Sequence, residues 1–127
     1  MKPSKILVFG NPRIRQDSIP LKILPMLKKR FPEIKFKVMD PTEIISQDEQ
    51  ELWILDTVQG IDDLKIIDDP SLFKNQAKVS VHDYDLAFDL SLLLKLGQVK
   101  RIKIIAIPQN TSREEALEKI SKILSEI

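Results

Sequence analysis

Three runs of almost unbroken apolar residues, each stopped abruptly, dominate the chain. Ile6-Leu7-Val8-Phe9 closes on Gly10, Leu52-Trp53-Ile54-Leu55 on Asp56, and Ile102-Lys103-Ile104-Ile105-Ala106-Ile107 on Pro108. A strand with one wet face alternates apolar and polar residues, so runs without that alternation belong to strands buried on both sides, as in a parallel sheet. Helical patterns lie between and after them. Leu24, Leu27 and Phe31 recur beside Lys28, Lys29 and Arg30, which predicts a helix of roughly three turns ended by Pro32. Pro20 suits its first turn, and Pro25 is a possible kink. The segment from Leu86 to Leu96 is apolar nearly all round and predicts a largely buried helix capped by Gly97. Ala116, Leu117, Ile120, Ile123, Leu124 and Ile127 form one stripe of a C-terminal helix. Thr111 with Glu114, and Ser112 with Glu115, each offer a capping box at its start. Strands alternating with helices predict an α/β fold: a single three-layer αβα domain over residues 1–127, with a mostly parallel twisted sheet flanked by helices.

Two weaker strands complete the pattern. Ile34, Phe36 and Val38 alternate with Lys35 and Lys37, as a half-exposed strand does. Leu64-Lys65-Ile66-Ile67 is stopped by Asp68-Asp69-Pro70. Asp62-Asp63 and Asp68-Asp69 read as solvated turns.

Composition narrows the function. With 127 residues and 43% hydrophobic content the chain can bury a core of its own. A net charge of +1 gives no electrostatic reason to expect nucleic acid or an anionic membrane as partner. The absence of cysteine excludes disulfides, thiolate metal sites and a cysteine nucleophile. The first apolar run is four residues long, too short for a signal peptide or a spanning helix, so a cytoplasmic location without membrane insertion is expected.

In open α/β sheets ligands bind beyond the carboxyl ends of the strands. Asp17, in the connection after the first strand, Asp56, at the end of the Trp53 strand, and His82, in the polar stretch before the buried helix, all fall there. Two carboxylates and one imidazole can hold a divalent metal with open positions, or carry out acid–base chemistry. Each residue also has a plainer use. Asp17 can cap the following helix, Asp56 can bind neighbouring backbone N–H groups, and a lone histidine can be a hydrogen-bonded surface residue. Gly10-Asn11-Pro12 lacks the later glycines of a dinucleotide fingerprint.

Gly10-Asn11-Pro12-Arg13-Ile14-Arg15-Gln16-Asp17-Ser18-Ile19-Pro20, after a buried strand, resembles the GNPLLGDDGVG signature of the hydrogenase maturation endopeptidases. Ile54-Leu55-Asp56-Thr57-Val58 resembles that family's VVDAV strand end, and Val81-His82-Asp83, leading into the leucine-rich helix, its SSHD segment. Ile105-Ala106-Ile107-Pro108-Gln109 resembles its GIQP strand end. The resemblance implies an endopeptidase that removes a C-terminal extension from the large-subunit precursor of a nickel–iron hydrogenase. It implies Asp17, Asp56 and His82 as the catalytic and metal-binding set, for nickel brought by the precursor or another divalent metal. It further implies Asn11, Asp40, Thr42 and Asp83 as substrate-binding residues. A non-catalytic module that binds the precursor is the alternative. Gln16 stands at the family's first acid, and Arg15, Ser18 and Pro20 stand at glycines of the motif. Any positive-φ conformation the family uses at those glycines is therefore not expected here.

Overall fold

A computed structural model of the chain describes residues 3–9, 18–39, 51–58, 61–68 and 100–127. Five strands and two helices lie within them: β1 (Lys5–Phe9), α1 (Ile19–Arg30), β2 (Lys35–Met39), β3 (Glu51–Val58), β4 (Lys65–Ile67), β5 (Arg101–Pro108) and α2 (Arg113–Glu126). The strands form one sheet in the order β2-β1-β3-β5-β4. β1, β2, β3 and β5 run parallel, and β4 pairs antiparallel to β5 at the edge. The architecture is α/β with a mostly parallel sheet, as the unalternating apolar runs predict.

The three apolar runs occupy the three inner strands, β1, β3 and β5. Alternation along each strand then sends side chains to two dry faces. Ile6, Val8, Trp53, Leu55, Ile105 and Ile107 pack with Ile23 and Leu27 of α1 and with Ala116, Ile120 and Leu124 of α2. Both described helices therefore lie on one face. Leu7, Phe9, Leu52, Ile54, Ile104 and Ala106 are buried together on the opposite face. The buried helix read over 86–96, with its Gly97 cap, lies outside the described residues.

Local chemistry explains the helix ends. α1 starts after Ser18 with Pro20 in its first turn, where the missing N–H would have had no intrahelical partner. It continues through Pro25, on its exposed side, to the basic last turn Lys28, Lys29, Arg30, which suits the negative end of the helix dipole. Arg30 reaches across to α2, donating to Ser121 Oγ at 3.0 Å and meeting Glu118 at 3.5 Å. In α2 the second of the two capping boxes is the one used. Ser112 is the N-cap, and its Oγ accepts from Glu115 N at 3.2 Å. The Glu115 carboxylate turns to Lys119 at 3.0 Å, so an ion pair replaces the reciprocal half of the box. Ser112→Ala is expected to lower stability by about 1 kcal/mol. A lower urea midpoint with unchanged slope would register it.

Two expectations need correction. β3 does not stop at Asp56 but runs on to Val58, because β5 extends alongside it: Asp56 pairs with Ala106, Thr57 with Ile107 and Val58 with Pro108. The alternation over Ile34, Phe36 and Val38 does not bury all three. Ile34 and Phe36 are buried, but Val38 is 48% exposed and Met39 is buried on the other face. β2 is an edge strand, so a residue facing the helices near its end has fewer neighbours to cover it.

The amino end of the sheet is closed by a polar cluster. Trp53 Nε1 donates to Glu51 Oε1 at 2.6 Å, Arg101 meets the same carboxylate at 3.8 Å, and Lys103 Nζ lies 5.7 Å from the Trp53 ring centre. No helix among the described residues is long and apolar enough to cross a membrane.

Candidate active site at the carboxyl edge of the sheet

The order β2-β1-β3 means that the chain steps outward from β1 to β2 and then returns past β1 to β3. Strand order therefore reverses between β1 and β3. In open α/β sheets the connections diverge at such a point and leave a crevice at the carboxyl ends, where ligands bind. Asp56 lies on that border. Val8 pairs with Leu55, so one step along each strand sets Phe9, the last residue of β1, level with Asp56. The connection carrying Asp17 leaves β1 at this point.

Asp56 is 2% exposed on the face opposite the two helices, in line with Ile54 and Val58. Its neighbour in register on β5 is the small Ala106. Among the described residues, β3 outruns its ladder with β1, which ends at Leu55, and beyond that residue only the β5 ladder continues. Oδ1 of Asp56 accepts the Thr57 N–H at 2.9 Å. That bond orients the carboxylate and satisfies the Thr57 N–H. The plainer use of Asp56, binding a backbone N–H, is thus realised, and it is compatible with a ligand role because a carboxylate has several lone-pair sites. Burying a carboxylate is costly without such partners, so its place at the reversal of strand order is informative.

Asp17, His82, Asn11, Asp40, Thr42 and Asp83 lie outside the described residues. Among the described residues no group of three or more His, Cys, Asp or Glu could hold a metal. Two of the altered motif positions are described. Ser18 has φ −90° and ψ −8° and serves as the N-cap of α1, one residue after Asp17. A serine there in place of glycine carries no positive-φ strain. Pro20 falls in the first turn of α1, where proline is at ease. Both replacements therefore fit the entry to α1 as built.

Thr57 points to the helix face, by alternation, and is 2% exposed; its Oγ1 has no hydrogen-bond partner among the described residues. Burying an unsatisfied hydroxyl is unfavourable, so Thr57→Val is expected to leave stability unchanged or raise it by about 1 kcal/mol in thermal unfolding.

Sequence reasoning missed the device that ties the β3–β4 connection to α2. Asp63 lies in an exposed bend, as its reading as a solvated turn requires, but it accepts from Lys119 Nζ and from Leu64 N, and Lys119 also meets Glu115. The Glu115–Lys119 spacing was the only visible part of this in the sequence. The bond from Lys119 holds the Asp63 carboxyl below its ordinary value of 3.8, helped by the Leu64 N–H. The bonds to Asp63 and then Glu115 hold Lys119 above its ordinary 10.5. The contribution of Asp63 is present above its unfolded value and is lost as pH falls through the lowered folded value. That of Lys119 is present below 10.5 and is lost as pH rises through the raised folded value. Lys119→Met is expected to move the Asp63 titration back up toward 3.8, read from its carboxyl carbon shift by NMR.

Comparison with solved structures identifies the architecture. The hydrogenase maturating endopeptidase HybD from E. coli superposes with a TM-score of 0.66 at 23% identity, covering 96% of this chain and 93% of that one. The fold is that of a hydrogenase maturation endopeptidase. An endopeptidase from Escherichia coli solved in solution gives 0.61 at 23% identity, covering 96% of this chain and 88% of that one. The Hydrogenase 3 maturation protease gives 0.54 at 17% identity, covering 96% and 89%. No protein-family model matches the sequence, and no curated protein matches it.

Proposed function

We propose that the protein is an endopeptidase that removes the C-terminal extension of a nickel–iron hydrogenase large-subunit precursor. The observation that carries this reading is Asp56, a buried carboxylate oriented by Thr57 N at the reversal of strand order, in a sheet of the maturation-endopeptidase type. The ordered motifs around Asp17, Asp56 and His82 support it, as does the accommodation of Ser18 and Pro20 at the start of α1.

In this reading Asp17, Asp56 and His82 offer ligands to a nickel ion that the precursor brings with it. Asn11, Asp40, Thr42 and Asp83 bind the precursor chain. The donor set of two carboxylates and an imidazole suits a borderline divalent ion and leaves positions open for the ligands that come with it. Capture of the ion fixes the adjacent chain in one register, which is a large part of what catalysis of hydrolysis requires. Asp17, Asp56 and His82 would hold the ion beside the chain, where the chemistry it would supply is Lewis-acid polarisation of a nearby carbonyl or water. Ligation needs both carboxylates ionised and His82 neutral. With no cysteine in the chain, a thiolate nucleophile plays no part.

The test is the mass of a large-subunit precursor after incubation with purified protein. Loss of one discrete C-terminal peptide is the expected result. Stable binding of the precursor with no loss of mass would replace the enzyme with a non-catalytic binding module.

A further inference from the structure

Two hollows meet on the helix-covered side of the molecule. One is a groove of about 690 Å³ between the start of α1, at Ile19 and Lys22, and the turn that leads from Gln109 into α2. The other, about 240 Å³, continues between the helices beside Ile23, Met26 and Leu117 and is also lined by Glu114. Lys22 and Arg113 line both, so they stand at the junction. Among the described residues neither makes an ion pair, whereas Arg30 meets Glu118 and Lys119 meets Asp63 and Glu115. Met26 is 46% exposed at the apolar end. On the other side of the 109–111 turn lies a third hollow, about 320 Å³, where Asp62, Asp63 and Glu115 outnumber Lys119.

We propose that the two joined hollows bind an extended peptide carrying a carboxylate next to an apolar side chain, and, resting on the reading above, that this peptide is the extension of the precursor. The volume suits several residues rather than a point anion. Two cations with no acidic partner among the described residues supply complementary charge at the junction, and the adjoining apolar surface supplies a seat for the neighbouring side chain. The acidic hollow beyond the turn repels the same carboxylate, so the charges define one direction for the chain.

The test uses short fluorescent peptides alternating leucine with aspartate, or leucine with lysine, and the purified full chain. Fluorescence anisotropy is expected to show the aspartate peptide binding at least about tenfold tighter, with the advantage shrinking as salt is added. The double variant Lys22→Glu, Arg113→Glu, checked for an unchanged melting curve, is expected to reverse the preference. With a competent precursor the same variant raises KM and leaves kcat alone. No peptide binding, binding without charge preference, or a preference that survives the double reversal overturns the proposal. Because the peptide assay needs no cleavage, failure there leaves the processing reading standing, and failure of cleavage leaves the groove result standing.

Discussion

Asp56→Asn is expected to abolish precursor processing while the domain stays folded. Asparagine keeps the shape of the side chain and an Oδ1 able to accept the Thr57 N–H, now at 2.9 Å. The local backbone therefore loses no partner. What disappears is the negative charge, and with it, in the proposed site, most of the attraction of this position for a cation. Outer partners of metal ligands are themselves worth roughly 10–100-fold, so loss of a ligand's charge is expected to cost more than about a hundredfold in cleavage rate. Asp56→Ala provides the contrast. It strips the Thr57 N–H of its acceptor at a buried strand end and is expected to cost about 1–3 kcal/mol of stability as well as activity. Trp53 is the only tryptophan and is buried on the same strand, so its fluorescence follows unfolding of both variants. Normal processing by Asp56→Asn would reduce Asp56 to its structural bond.

The largest stability effect is expected at Ile54. It is fully buried at 0% exposure in β3, in register with Leu7 of β1 and Ile104 of β5. Strands on both sides hold the backbone, so neighbouring side chains cannot collapse into a void left by truncation. Ile54→Ala is therefore expected to cost about 2–5 kcal/mol, a large share of the ~5–15 kcal/mol that keeps such a domain folded. Ile54→Val should cost about 0.5–1.5 kcal/mol. Ile66→Ala on the edge strand β4, where the side chain is 38% exposed, should change stability little. Urea titrations of the three variants give this ranking or refute it. Equal losses at Ile54 and Ile66 would contradict the assignment of β3 to the centre of the sheet.

The inner strands were legible because burial on both faces leaves a direct mark: Ile6 to Phe9, Leu52 to Leu55 and Ile102 to Ile107 carry almost no polar residues. The start of α2 was legible because Ser112 is a strong cap with a good N3 residue. The extension of β3 through Asp56 and Thr57 was not. Two polar residues look like a strand end, and only the length of β5 beside them decides otherwise. Strand order is likewise set by pairings far apart in sequence, such as Ile67 with Ile104, which no local pattern records. The site was half legible. An acid after an apolar run points to a carboxyl edge, but it says nothing of the reversal of order between β1 and β3 that makes the position of Asp56 informative. Lys22 and Arg113 carry no mark in the sequence, since a cation lining a groove looks like any other until the fold shows what surrounds it.

Nickel-loaded and nickel-free forms of the same large-subunit precursor, each offered to the purified protein and followed by intact mass, test the proposed recognition site and the proposed cleavage together. The nickel-loaded form alone is expected to be shortened, by a single C-terminal peptide. Equal cleavage of the two forms would contradict a recognition site built from Asp17, Asp56 and His82, and no cleavage of the nickel-loaded form would contradict the peptidase itself.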